Sequence, residues 1–214
     1  MARTSGAQTR AALLRAAERL MAAHGIEGAS LNDIVTLAGQ RNRSAVLFHF
    51  GGRDQLVDAI VLDHRRGINA ERNRMLDAFE ADGRRGGLRK LVEALVLPLA
   101  DSLSSRSGRD YIVILAERAA RGGTAAFISP DGLELDSISR CNRLIWSLVG
   151  GNDAERRLRI AEVELTGPVL LADIARDIER GSLASADVAG RVGSMMELMA
   201  AGLASLAPRP ASAD

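Results

Sequence analysis

Ser30-Leu31-Asn32-Asp33-Ile34-Val35-Thr36-Leu37-Ala38-Gly39, followed by Gln40-Arg41-Asn42-Arg43-Ser44-Ala45-Val46-Leu47-Phe48-His49-Phe50, reads as two short helices joined by a tight turn. Ser30 predicts an N-cap, and Asp33 three residues later completes a Ser-x-x-Asp capping box ahead of Ile34, Val35 and Leu37. Gly39 can adopt the left-handed conformation that ends a helix. The second helix is expected to turn Ala45, Val46 and Phe48–Phe50 inward, with Arg41, Asn42, Arg43 and Ser44 crowded at its start. A helix-turn-helix reader is built this way, because the N-terminal part of the second helix meets the base edges. The stretch therefore predicts DNA binding.

Charge supports this reading once it is divided along the chain. The net charge is only +1, but residues 1–67 hold nine arginines against six acids, a local excess of +3. Residues 37–53 contain Arg41, Arg43 and Arg53 and no acid. A local basic surface on an otherwise balanced protein is the footprint of a DNA-binding face. Any one arginine is ordinarily just solvated charge; the clustering is what carries the argument.

Spaced residues over the first third of the chain resemble the TetR family of bacterial transcriptional regulators. Thr9-Arg10, Ala16-Ala17, Leu20 and His24-Gly25 resemble its first helix. Ser30-Leu31, Asp33-Ile34 and Ala38-Gly39 resemble the second, and His49-Phe50, Arg53 and Leu56 the junction into the fourth. Two departures stand out. Gln40–Ser44 is one residue longer than the family's usual Val-Ser-Lys-Gly-like run, and Leu47-Phe48 stands where the family commonly has Tyr-Tyr. The fold is expected to survive both changes; the details of base readout do not carry over.

Length and periodicity extend the expectation to an all-α chain. Its 214 residues, 47% hydrophobic, suffice for a sizeable helical core. Helical spacing predicts a first helix ending near Gly25, a long fourth helix from Arg53, and a break at 82–87. Further helices are expected from Leu88 with a kink or end at Pro98, over 109–121, over a stretch containing Ile138 and Leu148, over 154–180 with a bend at Gly167-Pro168, and over 185–206. The expected organisation is a three-helix DNA-binding domain over 1–67, a helical effector-binding and dimerisation domain over 68–207, and a disordered tail over 208–214.

Candidate contacts follow. Arg41 and Arg43 can fork onto guanine or phosphate, and Gln40 and Asn42 can read adenine. Ser44 either meets a phosphate or caps the second helix, and Leu47 either touches a thymine methyl or belongs to the core. By resemblance, His49, Arg53 and Ser30 hold phosphates. His24 and His64 have no partner spacing and are expected at the surface or at caps. The resemblance also implies a dimer and a small-molecule pocket. Tyr111, Phe127 and Trp146, half of the six aromatic residues, are candidates to line that pocket, although an aromatic in a helical domain is more often plain core. Val169, Ile174, Val192, Met195 and Met199 are candidates for a two-fold interface, on the expectation that the last two helices carry more apolar surface than one protomer buries.

Enzymatic and metal chemistry find no support in the motifs. Neither a Gly-x-Gly-x-x-Gly, a phosphate-binding Gly-rich loop nor a His-Glu-x-x-His occurs, and Cys141 and the three histidines lack ligand spacing. No cofactor is expected. One cysteine excludes an internal disulfide, and no apolar run reaches the ~20 residues of a membrane span. The expected protein is cytoplasmic: a homodimeric repressor on a palindromic operator, released by a hydrophobic effector. An activator, an effector-independent regulator and a helical scaffold with non-specific DNA affinity are the alternatives.

Overall fold

The computed structural model describes residues 6–42, 44–123 and 136–205. Every regular element among them is helical: α1 (Gly6–His24), α2 (Leu31–Leu37), α3 (Ala45–Phe50), α4 (Arg53–Ala81), α5 (Gly87–Ala100), α6 (Arg106–Gly122), α7 (Asp136–Leu148), α8 (Asp153–Arg180) and α9 (Ser185–Ala204), with a 3-10 turn at Asp101–Ser104 between α5 and α6. Among these residues no helix is long and apolar enough to cross a membrane. The expected tail over 208–214 lies outside the described residues, as does Phe127.

The caps follow local chemistry. Ser30 Oγ accepts from the Asp33 amide at 3.5 Å, and Gly39 takes φ +70° after α2. Ser105 caps α6 by accepting from the Gly108 amide at 3.0 Å, which starts that helix at Arg106, three residues before the expected 109. Asn152 and Glu155 form a reciprocal capping box at the start of α8.

The first three helices and the start of α4 share one small core, built on Leu13, Met21, Ile34, Val46, Leu56 and Ile60. The other helices pack around α4, α6 and α8, with α6 lying against both α8 and α1. α4 runs unbroken through 67 and 68, so the expected boundary between units falls inside a helix. Neither internal proline ends its helix: α5 continues past Pro98 to Ala100, and α8 continues past Pro168. A proline lacks the N–H that would bond the carbonyl four residues back. For Pro98 that carbonyl belongs to Ala94, and Arg72 Nε donates to it instead at 3.1 Å. A side chain from α4 thus completes the backbone of α5.

Two expectations about burial are corrected. Phe48 does not turn inward; it is 83% exposed, because the short α3 is anchored on its other face by Ala45 and Val46, with Phe50 packed against the core. Ile174, Val192, Met195 and Met199 are all buried within one protomer, between α8, α9 and the helices they cover. They need no partner to leave water. Of the five residues assigned to a dimer face, Val169 alone is exposed.

Candidate nucleic-acid interface

The turn between α2 and α3 positions the candidate DNA-contacting residues. Gln40 N donates to Val35 O and Gly39 N to Thr36 O, which closes α2 and directs the chain towards α3. Arg41, Asn42, Ser44 and Leu47 are exposed along that turn and helix, next to Phe48. Leu47 and Phe48 are both exposed, and apolar side chains of this kind are chemically suited to thymine methyls. Arg43 lies outside the described residues.

Several candidates also have internal work. Asn42 Oδ1 accepts from the Ser44 amide at 2.9 Å, whereas Ser44 at the N-cap position makes no side-chain cap. Gln40 Nε2 leans on Ala38 O at 3.4 Å. His49 is half-buried and meets Phe48 edge-on, with centroids 5.0 Å apart. Arg53 Nη1 donates to two carbonyls, Ile26 O and Ala29 O, and its Nε lies 3.7 Å from Glu27. Its first role is to tie the α1–α2 turn to α4.

The candidate pocket residues separate. Tyr111 is fully buried and lines a cavity of about 60 Å³, together with Arg65, Asn69 and Arg72 of α4 and Glu164 and Pro168 of α8. Trp146 lies outside that cavity, half-buried on an open groove, with the guanidiniums of Arg156 and Arg157 at 5.5 and 6.0 Å from its ring. Burial keeps the Tyr111 phenol above its ordinary pKa, while the nearby arginines pull it back.

Sequence reasoning missed the buried charges. Arg65 and Arg72 occupy the inner face of α4 in the row Val61, Arg65, Ile68, Arg72, Leu76, Phe79. Arginine at two core positions of an otherwise apolar row was the available signal. Glu18 is also buried, and the histidine expected at the surface is its partner: His64 Nε2 meets Glu18 Oε1, while Ser107 Oγ donates to Glu18 Oε2 at 2.8 Å. One carboxylate thereby joins α1, α4 and α6. Burial pushes the Cys141 thiol up to about 12, so it stays protonated and inert at neutral pH. Among the described residues no group of His, Cys, Asp and Glu is arranged to hold a metal.

Comparison with known proteins agrees with this geometry. Residues 13–60, the stretch from α1 into α4, match the family model for bacterial regulatory proteins, tetR family. Of solved structures, a protein described as a tetR family transcription regulator from Shewanella sp. PV-4 is similar in fold, with 15% identity, TM-score 0.53 and coverage of 97% of this chain and 100% of that one. A transcriptional regulator from Rhodococcus sp. Rha1 is similar at 19% identity and TM-score 0.50, covering 97% and 100%. No curated protein matches. Residues 13–60 thus resemble the DNA-binding region of that family, and the helical fold of the chain is similar to that of the two solved regulators.

Proposed function

We propose that the protein is a homodimeric repressor that reads a palindromic operator and is released by a small effector. The observation that carries DNA reading is the α2–α3 unit: Ala45 and Val46 anchor it while Arg41, Leu47 and Phe48 face solvent. Arg43, Ser44, His49 and Ser30 complete the proposed contact set. The reading unit is 1–67 and the sensing unit 68–207, and the protein acts in the cytoplasm, where bacterial DNA lies.

For the dimer, the support is apolar surface that one protomer leaves exposed on its last two helices: Leu158 and Val169 of α8 and Leu198 of α9. For the effector, it is the cavity beneath α4, since the same helix carries the His64–Glu18 link to α1. A ligand that prefers a displaced α4 lowers operator affinity, and by linkage the operator lowers ligand affinity by the same factor. Selection of bound sites from random DNA tests the reading. Two inverted half-sites about 34 Å apart are expected; a single asymmetric site, or no enrichment, overturns it.

A further inference from the structure

Two of the six residues of α3 are large apolar side chains left in water. Leu47 is 59% exposed, and Phe48, at 83%, is the most exposed large hydrophobic residue among those described. At 3.6 residues per turn, successive residues are about 100° apart around a helix. Ala45, Val46, His49 and Phe50 therefore share the side of α3 that is buried or half-buried, and Leu47 and Phe48 share the other. His49 meets the Phe48 ring edge-on, planes 86° apart, and so braces it from one side. A lone exposed leucine needs no explanation. An adjacent apolar pair on one helix face does, because its setting is basic: residues 37–53 hold Arg41, Arg43 and Arg53 and no acid. The charge of that stretch is complementary to a polyanion rather than to an apolar protein surface.

We propose that Leu47 and Phe48 are specificity-determining residues that read thymine, each packing on a C5-methyl group in the major groove. This rests on the operator reading above and names the base that its apolar face selects. Thymine alone carries a methyl group on that edge, whereas adenine, cytosine and guanine present only hydrogen-bond donors and acceptors there. A leucine or phenylalanine answers none of those polar groups. A wrong base opposite either side chain therefore loses its water without gaining a partner, and is rejected as well as not attracted. Two side chains on one helix face reach one or two base steps, so each half-site is expected to hold one or two thymines under direct apolar contact. Removing one such methyl forfeits about 0.8 kcal/mol of burial, or about fourfold in affinity. A change in both half-sites of a two-fold operator doubles the free energy, to about sixteenfold.

The test uses the full chain and the operator recovered by selection, rebuilt with deoxyuridine in place of each thymidine in turn, which deletes the C5-methyl and nothing else. Binding is followed by anisotropy. One or two positions per half-site are expected to weaken binding about fourfold when substituted singly, and about sixteenfold when both half-sites are changed. Leu47→Ala and Phe48→Ala lie at exposed positions and should keep the fold by circular dichroism. Each should erase the deoxyuridine penalty at its own position while weakening the thymidine operator. A selected operator that tolerates deoxyuridine everywhere overturns the proposal and leaves the operator reading standing. A penalty that persists in both variants overturns it as well, because another group, or the DNA's own shape, then senses the methyl. Variants that keep the penalty but change oligomeric state by light scattering assign the apolar pair to a contact between copies instead. Failure of the native chain to enrich any site overturns the operator reading, and this proposal with it.

Discussion

The His64 imidazole lies flat on the Tyr111 ring, centroids 4.4 Å apart and planes 8° from parallel, while its Nε2 meets the Glu18 carboxylate. Tyr111 also lines the cavity, so Tyr111 and His64 together connect the cavity wall to Glu18 of α1. His64→Ala removes both the stack and one partner of a buried acid, and is expected to cost about 1–3 kcal/mol in urea unfolding. A double-mutant cycle with Glu18→Ala should return a coupling of roughly 0.5–3 kcal/mol. Additive single effects would show that the pair contributes nothing.

Arg53 and Arg41 are both basic residues at the DNA-facing unit, but their surroundings predict different phenotypes. Arg53→Ala strips the side-chain donor from Ile26 O and Ala29 O, so stability should fall by about 1–3 kcal/mol. Arg41 is exposed, and Arg41→Ala should leave stability within about 0.5 kcal/mol. Its effect belongs to DNA: weaker operator binding, and a log–log salt slope shallower by about one if it meets phosphate. Equal stability losses for both variants would contradict this division.

Leu198 and Met199 are neighbours with opposite fates. Leu198 is 64% exposed and Met199 is 4% exposed. Leu198→Glu should give a folded monomer by light scattering and circular dichroism, having lost the operator. Met199→Glu places a charge in the protomer core and should unfold it. A Leu198→Glu variant that stays dimeric would move the interface elsewhere.

Asp110 gives the pH dependence a sign. Burial pushes its pKa up to about 6, with Glu18 and Glu179 adding to the rise and Arg106 and Arg19 opposing it. The unfolded carboxyl titrates near 3.9, so between about pH 4 and 6 the folded chain holds more protons than the unfolded one. Stability contributed by this group therefore falls as pH rises through that window and levels off above it. Asp110→Asn should raise the melting temperature at pH 7 and flatten its pH profile between 4 and 7. Parallel profiles for the two proteins would remove Asp110 as the cause.

The sequence by itself determined where the helices lie, because caps and apolar periods are local. The stretch expected at 154–180 became Asp153–Arg180, and that at 185–206 became Ser185–Ala204 over the described residues. Ser30 and Gly39 marked the helix-turn-helix for the same reason: Ser30 Oγ accepts from the Asp33 amide and Gly39 takes the left-handed turn, both effects confined to a few residues. The match to the tetR family model, residues 13–60, includes that stretch.

Only the tertiary structure decided what each face meets. Periodicity groups Met195 and Met199 on one side of α9 without saying whether their own chain or a second copy covers them, and their own chain does. The three bonds that place Arg72 in the core reach across 22, 23 and 65 residues, and the His64–Glu18 pair spans 46. A charged side chain is stable inside only when partners from distant elements converge on it. That convergence is a property of the packing, and nothing local in the chain encodes it.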